Sequence, residues 1–447
     1  MTHPHQHTTN KKLIVGLGRT GMSVARYLRA QGIAFSVTDS RTAPPELETL
    51  KAIASDVTIR TGGFDQSLLD DVNEVIISPG VSLREPILVE AAKRGLPIAG
   101  DIELFARATN TPVVAITGTN GKSTVTTLIA LMAQACGLRA FAGGNLGHPA
   151  LDLLQETPAD LFVLELSSFQ LETTHSLKTK VATVLNVTSD HMDRYDSMLD
   201  YAHAKARIYD HCDCAVINRD DPLVTAMARS TQRTLSFSLQ HNDADYSTMQ
   251  TANEIVLVAH GRPMVNMSQL KLAGMHNAAN ALAALAMCDA LQLDMRACLQ
   301  ALKEFPGLPH RAQWVADING VRYIEDSKGT NVGATLAAVQ GMSGPLIVIA
   351  GGQGKGQDFT PLAPAFRNKV RFAVLLGQDA SQLDAVLKNV CATKFVSNME
   401  EAVHAAADIA RQGDTVLLSP ACASLDMFRD YAHRGDVFAA AVKGLNP

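Results

Sequence analysis

The stretch Val113-Val114-Ala115-Ile116-Thr117-Gly118-Thr119-Asn120-Gly121-Lys122-Ser123-Thr124 decides the fold of this chain. Residues 113–116 are apolar throughout and read as a buried strand. A turn with two glycines follows, and Lys122-Ser123-Thr124 opens an apolar helix. Strand, turn and helix in that order wrap backbone N–H groups around phosphates, aim a lysine at the terminal phosphates and offer a hydroxyl to Mg²⁺. The spacing is not the usual G-x-x-x-x-G-K-[ST], because only two residues separate Gly118 from Gly121. A plain Gly-Lys turn before an ordinary helix is the alternative, but the order of elements favours a phosphate loop. ATP is thus the expected ligand of Gly118, Thr119, Asn120, Gly121, Lys122, Ser123 and Thr124.

Working outward, strand and helix signals alternate on both sides of this loop. Upstream, residues 12–15, 35–38 and 74–77 read as strands, and 21–30 as a helix. Downstream, residues 161–164 and 181–185 are strand-like, and an Ala-rich helix follows His276. Beyond the turn Phe305-Pro306-Gly307-Leu308-Pro309, further strands are expected at 323–324, 346–350, 372–376 and 415–418. The last three runs are apolar on both faces, as buried parallel strands are. The expected fold class is α/β with three domains. These are a Rossmann-like N-terminal domain (1–101), a central P-loop ATPase domain with a parallel sheet (102–308) and a Rossmann-like C-terminal domain (309–447).

Bulk composition agrees. A chain of 447 residues exceeds one ordinary core, and 47% hydrophobic with 19% charged residues suits a globular enzyme. A formal net charge of -5 gives no basic footprint for nucleic acid. No apolar run approaches the roughly 18 residues of a membrane span, and no signal-peptide pattern opens the chain, so a cytoplasmic protein without membrane insertion is expected. The seven cysteines include no C-x-x-C pair, and Cys212-Asp213-Cys214 lacks the rest of a zinc set, so structural or incidental thiols are expected. His3, His5 and His7 read as a polar tail.

Gly16-Leu17-Gly18-Arg19-Thr20-Gly21 follows the first strand, and Asp39 ends the next, which satisfies the dinucleotide fingerprint. An NAD-binding dehydrogenase or sensor is one reading. A nucleoside diphosphate such as a UDP-sugar offers the same ribose and pyrophosphate, and the P-loop elsewhere favours that reading. Glycines that serve only helix–strand packing are the third.

Further blocks are more specific. Leu164-Glu165-Leu166-Ser167-Ser168-Phe169-Gln170-Leu171 and Asn186-Val187-Thr188-Ser189-Asp190-His191-Met192-Asp193-Arg194-Tyr195 put acidic residues at strand ends. With Leu308-Pro309-His310-Arg311, Asp326-Ser327-Lys328-Gly329-Thr330-Asn331 and Ser419-Pro420-Ala421-Cys422-Ala423-Ser424-Leu425-Asp426, they resemble the Mur ligase family over nearly the whole chain from Lys12 onward. The Ser-Ser-Phe-Gln and Ser-Pro-Ala-Cys-Ala-Ser blocks favour the member that adds D-glutamate to UDP-N-acetylmuramoyl-L-alanine. Another amino-acid ligase of the superfamily is the nearest alternative.

The resemblance implies ATP-dependent amide formation through an acyl phosphate and a tetrahedral intermediate, in peptidoglycan precursor synthesis, by a monomer. It implies Lys122, Glu165, His191 and Lys205 as catalytic residues. Two Mg²⁺ sites would draw on Ser123, Glu165, His191 and a carbamylated Lys205; read on its own, Lys205 would be a solvated helix lysine. Asn277 and Asn280, at i and i+3 on one helix face, resemble adenine contacts, with an N-terminal cap at Asn277 as the alternative. Arg311 and Asp326 would reach ATP from the third domain. Arg19, Thr20, Asp39, Ser40, Ser78, Gly80, Asn145 and His191 would bind the UDP substrate, and Lys328, Thr330, Lys355, Ser424 and Tyr431 D-glutamate. Gln353 stands where relatives commonly have aspartate, and Tyr431 where phenylalanine is usual.

Overall fold

The computed structural model describes residues 10–156, 158–228, 233–251, 254–272, 274–342 and 344–445; His3, His5 and His7 lie outside the described residues. Three sheets succeed one another along the chain. In the first, Lys11–Val15 pairs in parallel with Ala34–Asp39 on one side and Glu74–Ile77 on the other. Thr58–Thr61 and Ile98–Gly100 form the edges. The chain leaves the first strand in opposite directions, so a crevice opens at its carboxyl end, where the helix Arg19–Ala30 begins. The last glycine of the fingerprint is sterically obligatory: a Cβ on Gly21 would lie 2.1 Å from the Gly16 carbonyl oxygen.

In the central sheet the P-loop strand Val113–Thr117 lies between Leu161–Glu165 and Thr179–Val184, all parallel. Ala140–Gly144 flanks one side, and Cys212–Asn218 and Arg233–Phe237 continue the other. Every side chain of the P-loop strand is buried, which explains the uninterrupted apolar run that marks it. These strands are parallel, as the sequence leads one to expect, but the sheet is not parallel throughout. Past Tyr246–Gln250, the strands Ile255–Ala259 and Arg262–Asn266 extend it antiparallel. The hairpin between them closes on His260-Gly261, both at positive φ (48° and 74°), the two-residue turn whose twist matches paired strands.

The third sheet runs Gln313–Ile318, Val321–Glu325, Thr415–Leu418, Leu346–Gly351, Val370–Leu376, Ala392–Phe395. It is parallel except for the first pair, which closes on Asn319-Gly320 at φ 53° and 75°. Among the described residues no helix is long and apolar enough to cross a membrane.

The first and central segments are joined by buried polar contacts. Asp101, 1% exposed at the start of the helix Asp101–Ala108, accepts from Gln170 Nε2 at 3.1 Å. Burial pushes its carboxyl up to about 6. The folded state therefore holds this proton more tightly than the unfolded one, and the stability it confers is lost as pH rises from about 4 through about 6. Asp101→Asn should remove that dependence and be more stable than wild type by about 2 kcal/mol near pH 8, with a smaller difference near pH 4.5. Urea unfolding at the two pH values checks this; an equal difference at both would mean Asp101 is not the titrating group.

Candidate active site

The P-loop leaves its strand at Gly118 (φ 150°) and enters the helix Lys122–Ala135 at Gly121 (φ 84°). Lys122 Nζ donates to the carbonyls of Gly118 at 2.8 Å and Thr119 at 2.9 Å, and burial lowers its pKa. Sheet register brings the first acid to the loop: Ile116 is level with Glu165. Glu165 is 3% exposed; Oε1 accepts from Asn145 Nδ2 at 2.6 Å, while Oε2 is buried with no hydrogen-bond partner. An orphaned buried carboxylate oxygen beside a phosphate loop fits a divalent cation. The neighbouring Ser123 hydroxyl is a suitable second oxygen.

Lys205, in the helix Met198–Ala206, is 1% exposed. Its Nζ donates to Gly118 O at 3.0 Å and lies 4.4 Å from the Tyr201 ring centroid. It is no solvated lysine: burial, then Lys122, pushes its pKa well down. His191 stands at φ 58°, its ring edge-on to Phe169 at 4.9 Å. Burial pushes its pKa down to about 4, so the ring is neutral near pH 7, with a lone pair to offer. Among the described residues no three His, Cys, Asp or Glu side chains form a ready metal cluster. A cation at Glu165 would rely on that carboxylate, a hydroxyl and ligands from outside the chain.

Asn277 and Asn280 sit in the first turns of Met275–Ala290 and border one cavity with Asn120, Gly121, Arg311 and Asp326. Asn218, Phe237 and His276 share that wall; His276 adjoins the asparagines singled out above, whereas nothing in the neighbourhoods of Asn218 and Phe237 marks them. A Cβ on Gly121 would lie 2.3 Å from Asn280 Oδ1, at a φ that also disfavours side chains. Gly121→Ala should therefore raise KM for ATP at least about tenfold by displacing Asn280, for a cost of about 1–2 kcal/mol in backbone strain alone. ATP titration of initial rates checks it; an unchanged KM would mean that Asn280 does not line the nucleotide site.

The third segment closes onto this loop. Arg311 Nη2 donates to Ser123 Oγ at 3.0 Å. Asp326 accepts from Ala312 N and Ser419 Oγ, and burial raises its carboxyl to about 7. Asn331 exchanges side-chain hydrogen bonds with Asn120 and also donates to Asp190 Oδ2 at 3.2 Å. Lys355, at φ 54°, places Nζ 3.5 Å from Asp190 Oδ1. Burial works to raise the Asp190 carboxyl, but the surrounding cations and the Asn331 hydrogen bond hold it below its ordinary value. Asp190 and Asn331 both lie in the blocks that carry the resemblance, though neither is among the site residues it implies. Strained backbone at His191 and Lys355, facing one carboxylate, is common where a site imposes geometry.

Lys328 lies 3.8 Å over the Tyr431 ring, and burial brings its pKa down to about 8. Thr330 and Ser424 belong to adjoining loops, tied by Ala421 N to Gly329 O at 2.9 Å. Gln353 bridges to Ala423 through backbone groups, so this pairing does not depend on which side chain stands at position 353.

At the first sheet, Arg19, Thr20, Asp39, Ser40, Ser78, Gly80 and Asn145 line one cleft. Asp39 is already engaged: its carboxylate accepts from the Leu17 and Arg41 backbone N–H groups and from the Arg41 guanidinium. It orders the glycine turn and holds Arg41, a cation that the sequence reading missed, in the cleft wall.

A phosphate loop set between parallel strands of a mixed sheet, with one Rossmann-like unit before it in the chain and another after it, defines a three-domain protein of the P-loop nucleotide-binding class. Three family models match in succession: Mur ligase MurD-like, N-terminal domain (residues 10–100), Mur ligase middle domain (116–288) and Mur ligase, glutamate ligase domain (310–422). The chain belongs to the Mur ligase family. It is 49% identical to the UDP-N-acetylmuramoylalanine–D-glutamate ligase of Methylococcus capsulatus, over 98% of this chain and 95% of that one. It is also 49% identical to the enzyme of that name from Pseudomonas aeruginosa, over 97% and 98%. In fold it is similar to the UDP-N-acetylmuramate-alanine ligase of Thermotoga maritima and to a pseudomurein peptide ligase type C from Methanothermus fervidus. Each has a TM-score of 0.63 and covers 98% of this chain and 100% of the other, at 19% and 18% identity.

Proposed function

We propose that this chain is an ATP-dependent, ADP-forming ligase that joins D-glutamate to UDP-N-acetylmuramoyl-L-alanine in peptidoglycan precursor synthesis. One observation carries the reading. Asn145 lines the cleft of the first sheet and also donates to Glu165 beside the P-loop at 2.6 Å. A UDP-linked acid lying in that cleft thus ends next to the phosphate loop, where its carboxylate can take up a phosphoryl group. The near-identical length and 49% identity of the relatives support the choice of D-glutamate.

In this reading the units divide near residues 101 and 308. Arg19 and Thr20 meet the diphosphate at a helix N-terminus. Asp39, Ser40, Ser78 and Gly80 shape the nucleoside end, and Asn145 and His191 the acyl end. Glu165 and Ser123 would hold one Mg²⁺, and His191 with a carbamylated Lys205 a second. Mg²⁺ would supply neutralisation of charge where anion meets anion. Lys122 stabilises charge at the terminal phosphates, Asn277 and Asn280 face the adenine, and Arg311 and Asp326 add contacts from the third unit. Lys328, Thr330, Lys355, Ser424 and Tyr431 bind D-glutamate, whose amine displaces phosphate from the acyl phosphate through a tetrahedral intermediate. Closure of the third unit keeps water from the acyl phosphate. Burial works against the charged form of Lys205, which favours addition of CO₂ to its amine, releasing a proton and giving a carbamate. We place the reaction in the cytoplasm, in a monomer, as the family resemblance implies.

The test is phosphate release with ATP, Mg²⁺ and UDP-N-acetylmuramoyl-L-alanine against a panel of amino acids. D-Glutamate alone should stimulate it. Stimulation by another amino acid, or tight NAD(H) binding without ATP turnover, would overturn the assignment.

A further inference from the structure

Behind the phosphate loop, the far end of its helix meets two others. Cys136, the residue that ends the helix Lys122–Ala135, has its Sγ 3.8 Å from Sγ of Cys298 in the helix Met295–Glu304. The two are 162 residues apart in sequence, so only the fold brings them together. Cys136 is partly exposed and Cys298 is fully buried. Cys288, in the helix Met275–Ala290, lies on the inner side, its Sγ 3.5 Å from Met132 Sδ. No role in nucleotide or substrate binding reaches this cluster. The pair has the arrangement of a dithiol with one sulfur open to solvent and its resolving partner shielded. The shielded sulfur is placed to attack its neighbour once that neighbour is oxidised.

We propose that Cys136 and Cys298 are a reversible oxidation site, converted by peroxide into a disulfide that staples the end of the P-loop helix to the helix Met295–Glu304. Peroxide oxidises the accessible sulfur: the O–O bond breaks, Cys136 becomes a sulfenic acid and one water leaves. Cys298 then attacks the Cys136 sulfur; the S–S bond forms, the S–O bond breaks and a second water leaves. Two thiols and one peroxide thus give one disulfide and two waters. The staple joins helices that are already packed together, so it should raise Tm.

The experiment treats the full chain with hydrogen peroxide, blocks remaining thiols and maps peptides without reduction. The expected result is a Cys136–Cys298 cross-linked peptide with a mass loss of about 2 Da, reversed by dithiothreitol, and a raised Tm in the oxidised form. Cys136→Ser should abolish the cross-link and leave basal activity unchanged; because Cys136 is partly exposed, this variant is expected to fold. Cys288→Ser should keep the cross-link. Oxidation of Cys136 to sulfinic or sulfonic acid with Cys298 still reduced would overturn the proposal, as would a cross-link to Cys288 or no reaction.

Discussion

Lys122→Ala is expected to lower kcat by about three orders of magnitude while leaving the melting curve nearly unchanged. Removing one preorganised donor aimed at developing charge typically costs about 10²–10³-fold, and a full cation in a partly buried site stands at the upper end. The Lys122 ammonium is held by two carbonyls of its own loop, at 2.8 and 2.9 Å, so its position is set before any ligand arrives. The loop's shape depends on Gly118, Gly121 and the flanking strands, which the substitution leaves in place. KM for ATP should move much less than kcat, because the lost interaction is strongest as the phosphoryl group transfers. Initial-rate phosphate release with a parallel thermal melt decides it. A folded variant with full turnover would remove Lys122 from the mechanism.

Lys205→Ala should be comparably damaging, by about 10³-fold, for a different reason. A fully buried lysine with no carboxylate in direct contact is costly to keep charged. Its lowered pKa leaves an amine that can react with CO₂. If the carbamate forms, wild-type protein in ¹³C-bicarbonate shows a carbamate carbon that the variant lacks, and CO₂ depletion slows the wild type alone. Near wild-type turnover by folded Lys205→Ala, with no labelled carbon in either protein, would sink the proposal. A slow variant without the carbon signal in wild type would leave Lys205 a cation that positions the Gly118 carbonyl.

Much of this was legible in the chain because it is local. A run buried on both faces must be apolar, a phosphate loop must have glycine where backbone meets phosphate, and a helix must begin where the loop ends. The strand at Glu74–Ile77 has the bounds expected, and those around the P-loop differ by one or two residues. Two hairpins went unread although one carries Asn319-Gly320, a strong turn signal. Their outer strands, Arg262–Asn266 and Gln313–Ile318, lie at sheet edges, where half-buried patterns are weaker than the apolar runs of the interior.

The sequence by itself determined the three α/β units, the phosphate loop and the residue types that its chemistry needs, since each follows from periodicity or close spacing. Tertiary structure alone decided which of these residues meet. Asp190 joins Asn331 and Lys355 across long stretches of chain, Arg311 reaches Ser123, and Asn145 ties the first cleft to Glu165. It also showed that Asp39 is taken up by Leu17 and Arg41, and that Lys205 is buried. Such pairings depend on how sheets dock, and no pattern within one segment encodes the distance between side chains on two others.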